Sequence, residues 1–352
     1  MLLVYSALCA WCLGTFMQKW SLREGNPRYG FEQMLDHTAH RPFVYRVLFP
    51  VLVNQISDST PRLAREWCSR KIAEYPGLLR LYYKAGEPSA DVAFKYHIAY
   101  GLLFLSLLGA AYAVRAATAA VWPGQTAIHD AAPAVFLILL PLSFVQGGYL
   151  YDFPELLFLF LLYWLALTRR YLWLVCLFPL AILNKESSMM LPMLLAPIFL
   201  RDGRRTALTL FAIMMCVGGV IFWLVRSHYA GNPGQGVEFH LWLNLRFYTR
   251  VGTWLEVMPQ YAPLLPFPRG VNIVWVFFVM AMLFFGWSKK PTILKHMFWA
   301  ACAVNLPLFV LFGRADEMRN LSLLFPAMYL LSTDTVTRLY GSEFRTQAGS
   351  GK

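Results

Sequence analysis

Apolar residues in this chain come in long unbroken runs rather than in alternation with polar ones. The runs fall at 1–17, 93–114, 132–150, 154–167, 171–183, 187–200, 206–226, 271–287, 296–312 and 321–333. A helix crossing the bilayer core takes ~20 apolar residues, with a range of about 17–25. The pattern therefore predicts an all-α integral membrane protein with about ten transmembrane helices. Three of the runs, between 154 and 200, are short for a crossing and require thin or tilted helices, or irregular backbone lining a wet cavity. The stretch 44–57 is apolar but interrupted by Arg46, Pro50, Asn54 and Gln55, and reads as an interfacial helix.

Orientation follows from Lys and Arg in the short loops. Arg169-Arg170, Arg201 with Arg204-Arg205, and Lys289-Lys290 with Lys295 mark three turns whose placement in the cytoplasm gives alternating crossings, with both termini inside. Residues 1–340 then form a single transmembrane domain and 341–352 a short, disordered cytoplasmic tail. The segments 18–92 and 227–270 become extracytoplasmic loops. Of the 19 acids, only Asp130, Asp202, Asp334 and Glu343 fall inside, so function is expected at the outer face.

Composition agrees with this reading and removes its rivals. Hydrophobic residues make up 58% and charged residues 14%, whereas soluble domains keep about 25% charged. Soluble cytosolic enzymes are excluded. The net charge of +12 comes from Lys and Arg scattered between apolar runs, with no basic helix or tail. That suits anionic lipid head groups and topology, not nucleic acid. The six cysteines are too few and scattered for a disulfide framework. The first Lys or Arg is Lys19, so 1–17 reads as a retained first span, not a cleaved signal.

Ionisable groups beside membrane spans are costly, and they single out candidate chemistry. In the first loop Glu32 and Asp36 stand four apart, on one face if helical, and could hold a divalent cation or supply a general base. Tyr151-Asp152-Phe-Pro-Glu155 opens the fourth run; Asp152 and Pro154 suit a helix start, but capping leaves Glu155 unexplained. Asn184-Lys185-Glu186 is wedged between apolar halves, where the charges could neutralise each other or the ammonium could hold a phosphate. In Gly313-Arg314-Ala-Asp316-Glu317-Met-Arg319, the acids suit a helix N-terminus, whereas two arginines suit one only beside an anion. Over 237–262, Phe239, Leu243, Phe247, Val251 and Leu255 form one stripe of an expected interfacial helix, with His240 and Glu238 near its start. Lone loop histidines such as His37 and His40 are more often solvated than liganded. No P-loop, GxSxG, HExxH or dinucleotide fingerprint is present.

This layout resembles the GT-C superfamily of membrane glycosyltransferases, which use polyprenyl-phosphate sugars as donors. The likeness lies in a first span followed by a long external loop bearing an acid (Glu32 or Asp36) and a Pro-containing apolar helix (44–56). It extends to an acidic second external loop with Asp152 and Glu155, and to basic residues in later ones. The resemblance implies sugar transfer from a polyprenyl-phosphate donor to a glycan or glycolipid acceptor, in cell-envelope polysaccharide synthesis. The implied site faces the extracytoplasmic side of a bacterial inner membrane. Asp36 or Glu32 would deprotonate the acceptor or bind metal, while Arg314, Arg319 and Lys185 would stabilise the departing phosphate. Asp152, Glu155, Glu186, Glu317 and His240 would support substrate or a divalent cation (Mg or Mn). A transporter or flippase of lipid-linked sugars, and a non-catalytic subunit of an envelope-assembly complex, are the alternatives. The first predicts inverted repeats and midplane charges, neither of which the sequence carries.

Overall fold

A computed structural model describes residues 1–75, 77, 83, 88–141, 148–259, 266–268, 271–315 and 317–349. Among the described residues, each of the ten apolar runs contains helix. In chain order the helices are α1 (Leu2–Trp20), α2 (Phe31–Leu35), α3 (Leu48–Ser59), α4 (Arg62–Ala73), α5 (Ala90–Val121), α6 (Thr126–Leu139), α7 (Asp152–Leu167) and α8 (Tyr171–Asn184). They continue as α9 (Leu191–Phe199), α10 (Arg204–His228), α11 (Leu241–Tyr248), α12 (Val251–Leu255), α13 (Ile273–Phe284), α14 (Thr292–Phe312) and α15 (Phe325–Gly349). Short 3-10 turns at Glu186–Met190 and Met318–Leu324 lead into α9 and α15, and β1 (Val257–Pro259) pairs antiparallel with β2 (Pro266–Pro268).

Length and apolarity suffice for a membrane crossing in three of these helices: α5, α10 and α14. The expectation of ten crossings is therefore met in full only for those three. Helices α6, α8 and α13 are apolar but have 14, 14 and 12 residues. At 1.5 Å per residue they reach only ~18–21 Å of a ~30 Å hydrocarbon core. Local sequence explains where helices start and stop. The Ser89 hydroxyl accepts the Val92 N–H at 3.3 Å and opens the 32-residue α5, and the Asn272 side chain does the same for Val274 at 3.0 Å in α13. Gly203, at φ +100°, turns the chain out of the Leu200–Asp202 3-10 turn into α10.

Side-chain bonds draw the turns between the described helices into two groups, called here the turn pole and the loop pole. At the turn pole Arg169 meets Asp202 across the ends of α7 and α9, Lys290 and Arg338 tie the α13–α14 turn to α15, and Arg115 joins Asp130 between α5 and α6. The opposite, loop pole carries 21–89 and 229–272 where these are described. Two contiguous apolar cores fill the space between. One joins α1, α5, α6 and α7; the other joins α7 to α10 with α14 and α15. Outward, large apolar side chains stay bare, among them Leu208 (70%), Trp223 (65%) and Phe277 (69%). A water-facing surface rarely offers such continuous apolar area, and a lipid-facing one requires it.

Two expectations change here. The single interfacial helix expected over 237–262 is two short helices, α11 and α12, parted at Thr249–Arg250, where Arg250 takes an extended backbone (ψ 121°). The hydroxyl of Thr253 and the indole N–H of Trp254 donate back to the carbonyls of Phe247 and Tyr248, which folds the second helix onto the first. Residues 260–262 of that stretch lie outside the described residues. At the other end, α15 runs to Gly349 through most of the tail expected at 341–352.

Candidate functional site

The site is built where α7 begins. Asp152 is the first residue of the helix, and its Oδ2 accepts the Tyr149 N–H at 2.8 Å, closing the preceding turn. That turn stacks the rings of Tyr149 and Tyr151, with centroids 5.3 Å apart and planes 7° from parallel. Three cations gather on these rings. Arg319 lies 4.3 Å from the Tyr149 centroid, and Arg46 and Lys185 lie 4.1 and 5.8 Å from that of Tyr151. All three are buried.

Each cation is held by carboxylates. Lys185 Nζ donates to Glu155 at 2.6 Å, and the remaining Glu155 oxygen accepts from Ser322 at 2.8 Å and Ser187 at 3.3 Å. Arg319 bridges Asp152 at 3.2 Å and Glu317 at 2.8 Å, leaving its Nε–H unpartnered. Arg46 forks onto Glu186 at 2.7 and 3.0 Å and also donates to the Tyr151 hydroxyl. Burial pushes the Glu186 carboxyl upward, but the Arg46 guanidinium outweighs it and holds the group below its usual range. Asn184 donates to Tyr151 O at 3.1 Å and keeps a buried amide oxygen free.

The array thus unites Lys185, Arg319, Asp152, Glu155, Glu186 and Glu317 from three separate sequence stretches. It also contains Arg46, Tyr149, Tyr151 and Ser322, which sequence reasoning did not place there. The neighbours Lys185 and Glu186 do not neutralise each other. Lys185 has an extended backbone (φ −157°, ψ 126°), which sends successive side chains to opposite sides. Arg314 does not join Arg319; it is exposed and has no ion pair among the described residues. Asp316 lies outside the described residues.

The first-loop acids stand apart. On the short α2, Glu32 accepts a hydrogen bond from the Tyr83 hydroxyl, whereas Asp36 closes the helix and is exposed. His37 next to it sits at φ +57°, an uncommon backbone for a non-glycine residue. Asn232 donates to its carbonyl at 2.9 Å, and the Tyr229 hydroxyl meets its Nδ1 at 3.1 Å. Burial, then the interaction with His228, pulls the His37 imidazole below its ordinary range, with Asp36 opposing. Met34 and Ala39 of this loop pack in one cluster with Tyr149 and Tyr151. His240 is 3.4 Å from Glu238, which Arg28 also holds at 2.5 Å, and belongs to this outer rim. Among the described residues no three His, Cys, Asp or Glu side chains gather as a cation site.

Fold and site together define an α-helical protein with three helices long and apolar enough to cross a membrane and a charge array clustered at one pole. No known family, no curated protein and no solved structure matches the chain.

Proposed function

We propose that this protein is a GT-C-like membrane glycosyltransferase that moves a sugar from a polyprenyl-phosphate donor to a glycan or glycolipid acceptor. In this reading the chain crosses a bacterial inner membrane ten times, and the loop pole faces outward. One observation carries the reading: three buried cations, two buried carboxylates and two half-buried ones gather at two parallel tyrosine rings, beside a loop that presents the exposed carboxylate of Asp36. Buried ion pairs rarely add net stability, because desolvating two charges costs about what their attraction returns. Their concentration at one pole therefore argues for chemistry.

The chemistry they suit separates charge. The acceptor oxygen attacks the anomeric carbon, the bond to phosphate breaks with its electron pair leaving on the phosphate, and the acceptor proton passes to a base. Asp36 is the accessible base; Glu32 is already engaged by Tyr83. The excess of carboxylate over cation in the array favours the cationic sugar ring of the transition state. Exposed Arg314 and the unpartnered Nε–H of Arg319 are left for the departing phosphate, while Lys185 fixes Glu155. The test is release of polyprenyl phosphate from a labelled polyprenyl-phosphate sugar by purified protein in nanodiscs. Asp36→Asn should lower turnover by about 10²–10⁴ without shifting thermal unfolding. A wild-type rate in the Asp36→Asn, Glu32→Gln double variant removes the reading.

A further inference from the structure

A second site lies where the two long loops meet, beside the charge array, since Tyr45 packs in one cluster with Tyr149 and Tyr151. Asn232 donates to the carbonyls of His37 and Ala39 at 2.9 and 3.0 Å, and Pro233 and Gly234 accept from Arg41 at 2.8 and 2.7 Å. Gly234 is at φ +96°, and a Cβ there would meet the Arg41 carbonyl at 2.7 Å, so this junction is closely fastened. It nevertheless leaves one donor unspent. Tyr45 is only 4% exposed, its ring lies edge-on to Phe222, and its hydroxyl has no hydrogen-bond partner among the described residues. A buried hydroxyl without a partner is uncommon and costly.

What stands beside that hydroxyl is a guanidinium. A Cβ placed on Gly236 would meet Tyr45 Oη and Arg226 Nη2, each at 3.9 Å, and nothing closer. Both polar ends thus come to the same point beside Gly236, which sets no side chain of its own between them. Arg226, unlike Arg46, Lys185 and Arg319, has no carboxylate partner among the described residues. The permanent charges here are positive, Arg41 and Arg226, and the carboxylate of Glu238 is taken by Arg28 and His240. Arg226 also occupies the last turn of α10, one of the helices fit to cross a membrane, beside exposed Trp223 and Leu224. An arginine flanked by tryptophan at the end of such a helix sits at the level of lipid head groups.

We propose that Tyr45 and Arg226, which converge beside Gly236, bind the phosphate of a membrane lipid. The phenol O–H and the guanidinium fork donate to phosphate oxygens, a charge-assisted arrangement that needs no metal. This site does not depend on the glycosyltransferase reading. Native mass spectrometry of the full chain in an uncharged detergent tests it, with phosphatidylglycerol as probe and diacylglycerol as the phosphate-free control. Phosphatidylglycerol should be retained and diacylglycerol lost. Tyr45→Phe and Arg226→Gln should each weaken retention by ~10-fold, as loss of a hydrogen bond to a charged group does. Arg226→Lys should recover part of it. Tyr45→Phe should melt no lower than wild type in the absence of lipid, because the hydroxyl it removes bonds to nothing. Displacement of phosphatidylglycerol by citronellyl phosphate assigns the site to a polyprenyl phosphate, and resistance to it assigns the site to phospholipid; both support a lipid-phosphate site. Equal retention of diacylglycerol, or wild-type retention in both variants, overturns it. Lipid binding without sugar transfer sinks only the enzymatic reading.

Discussion

At the turn pole, Arg169 meets Asp202 at 2.8 Å with its side chain 63% exposed, and Arg115 meets Asp130 at 2.8 Å with 40% exposed. At the loop pole, Lys185 meets Glu155 at 2.6 Å with 7% and 2% of the side chains exposed. The chemical groups are alike and the distances similar, but their surroundings differ. Water and salt screen the exposed pairs, which contribute about 0–1 kcal/mol each. The enclosed pair is scarcely screened, and each member has lost its water. Its partners are then obligatory, which is why Glu155 collects a lysine and two serine hydroxyls. Lys290 lies between these extremes. It is buried at the turn pole and satisfied mostly by neutral oxygens, Leu331 O and the Thr335 hydroxyl, both at 2.6 Å, with Asp334 at 4.0 Å.

Three experiments can break or sharpen this contrast. The largest effect is expected for Lys185→Met, which strands a buried carboxylate and should cost ~3–5 kcal/mol in unfolding free energy. Adding Glu155→Gln should restore more than half, because no charge is then left alone. A single variant as stable as wild type would make the enclosed pair no different from the exposed ones. Lys290 comes next. Burial, opposed by Asp334, lowers its ammonium from 10.5 to about 8. Between those values the unfolded chain holds a proton that the folded protein has released, so stability should rise with pH from about 8 to 10.5. The gain should be on the order of 2 kcal/mol relative to Lys290→Met, read as the difference between thermal unfolding curves at the two ends of the interval. A flat or falling curve would mean that Asp334 dominates. The smallest effect belongs to Arg169→Ala, at most ~1 kcal/mol and shrinking with added salt.

Much of this was legible in the runs of apolar residues, since each marked a helix. Crossing was less legible, because hydropathy shows where a helix is apolar but not where a buried break such as Asn184–Lys185 will end it. Lys185, Arg319, Asp152 and Glu155 were visible as charges beside apolar segments, where membrane depth makes any charge conspicuous. Their pairing was not. The partner of Lys185 is 30 residues away and that of Arg319 is 167 residues away. Arg46 read as an interruption of an interfacial helix, yet its contacts are with Glu186 and Tyr151, 140 and 105 residues distant. Nothing near Arg46 in sequence announces either. Tyr149 and Tyr151 were hidden differently, because aromatic residues are so common here that two more carried no signal.

The closed bookkeeping of the array also has a consequence for how such a sequence can drift. Arg46 with Glu186, Lys185 with Glu155, and Arg319 with Asp152 and Glu317 are mutual obligations in a volume that admits little water. A substitution at one position leaves its partner stranded, so inherited change there has to arrive in pairs or not at all. On their bare outer faces, as at Leu208 (70% exposed), the apolar helices can exchange one apolar side chain for another without such a penalty. Overall similarity therefore decays quickly across a lineage while these pairs stay locked together. Distant kin of this chain should be recognised by whether its charges change in step, not by how many residues they share.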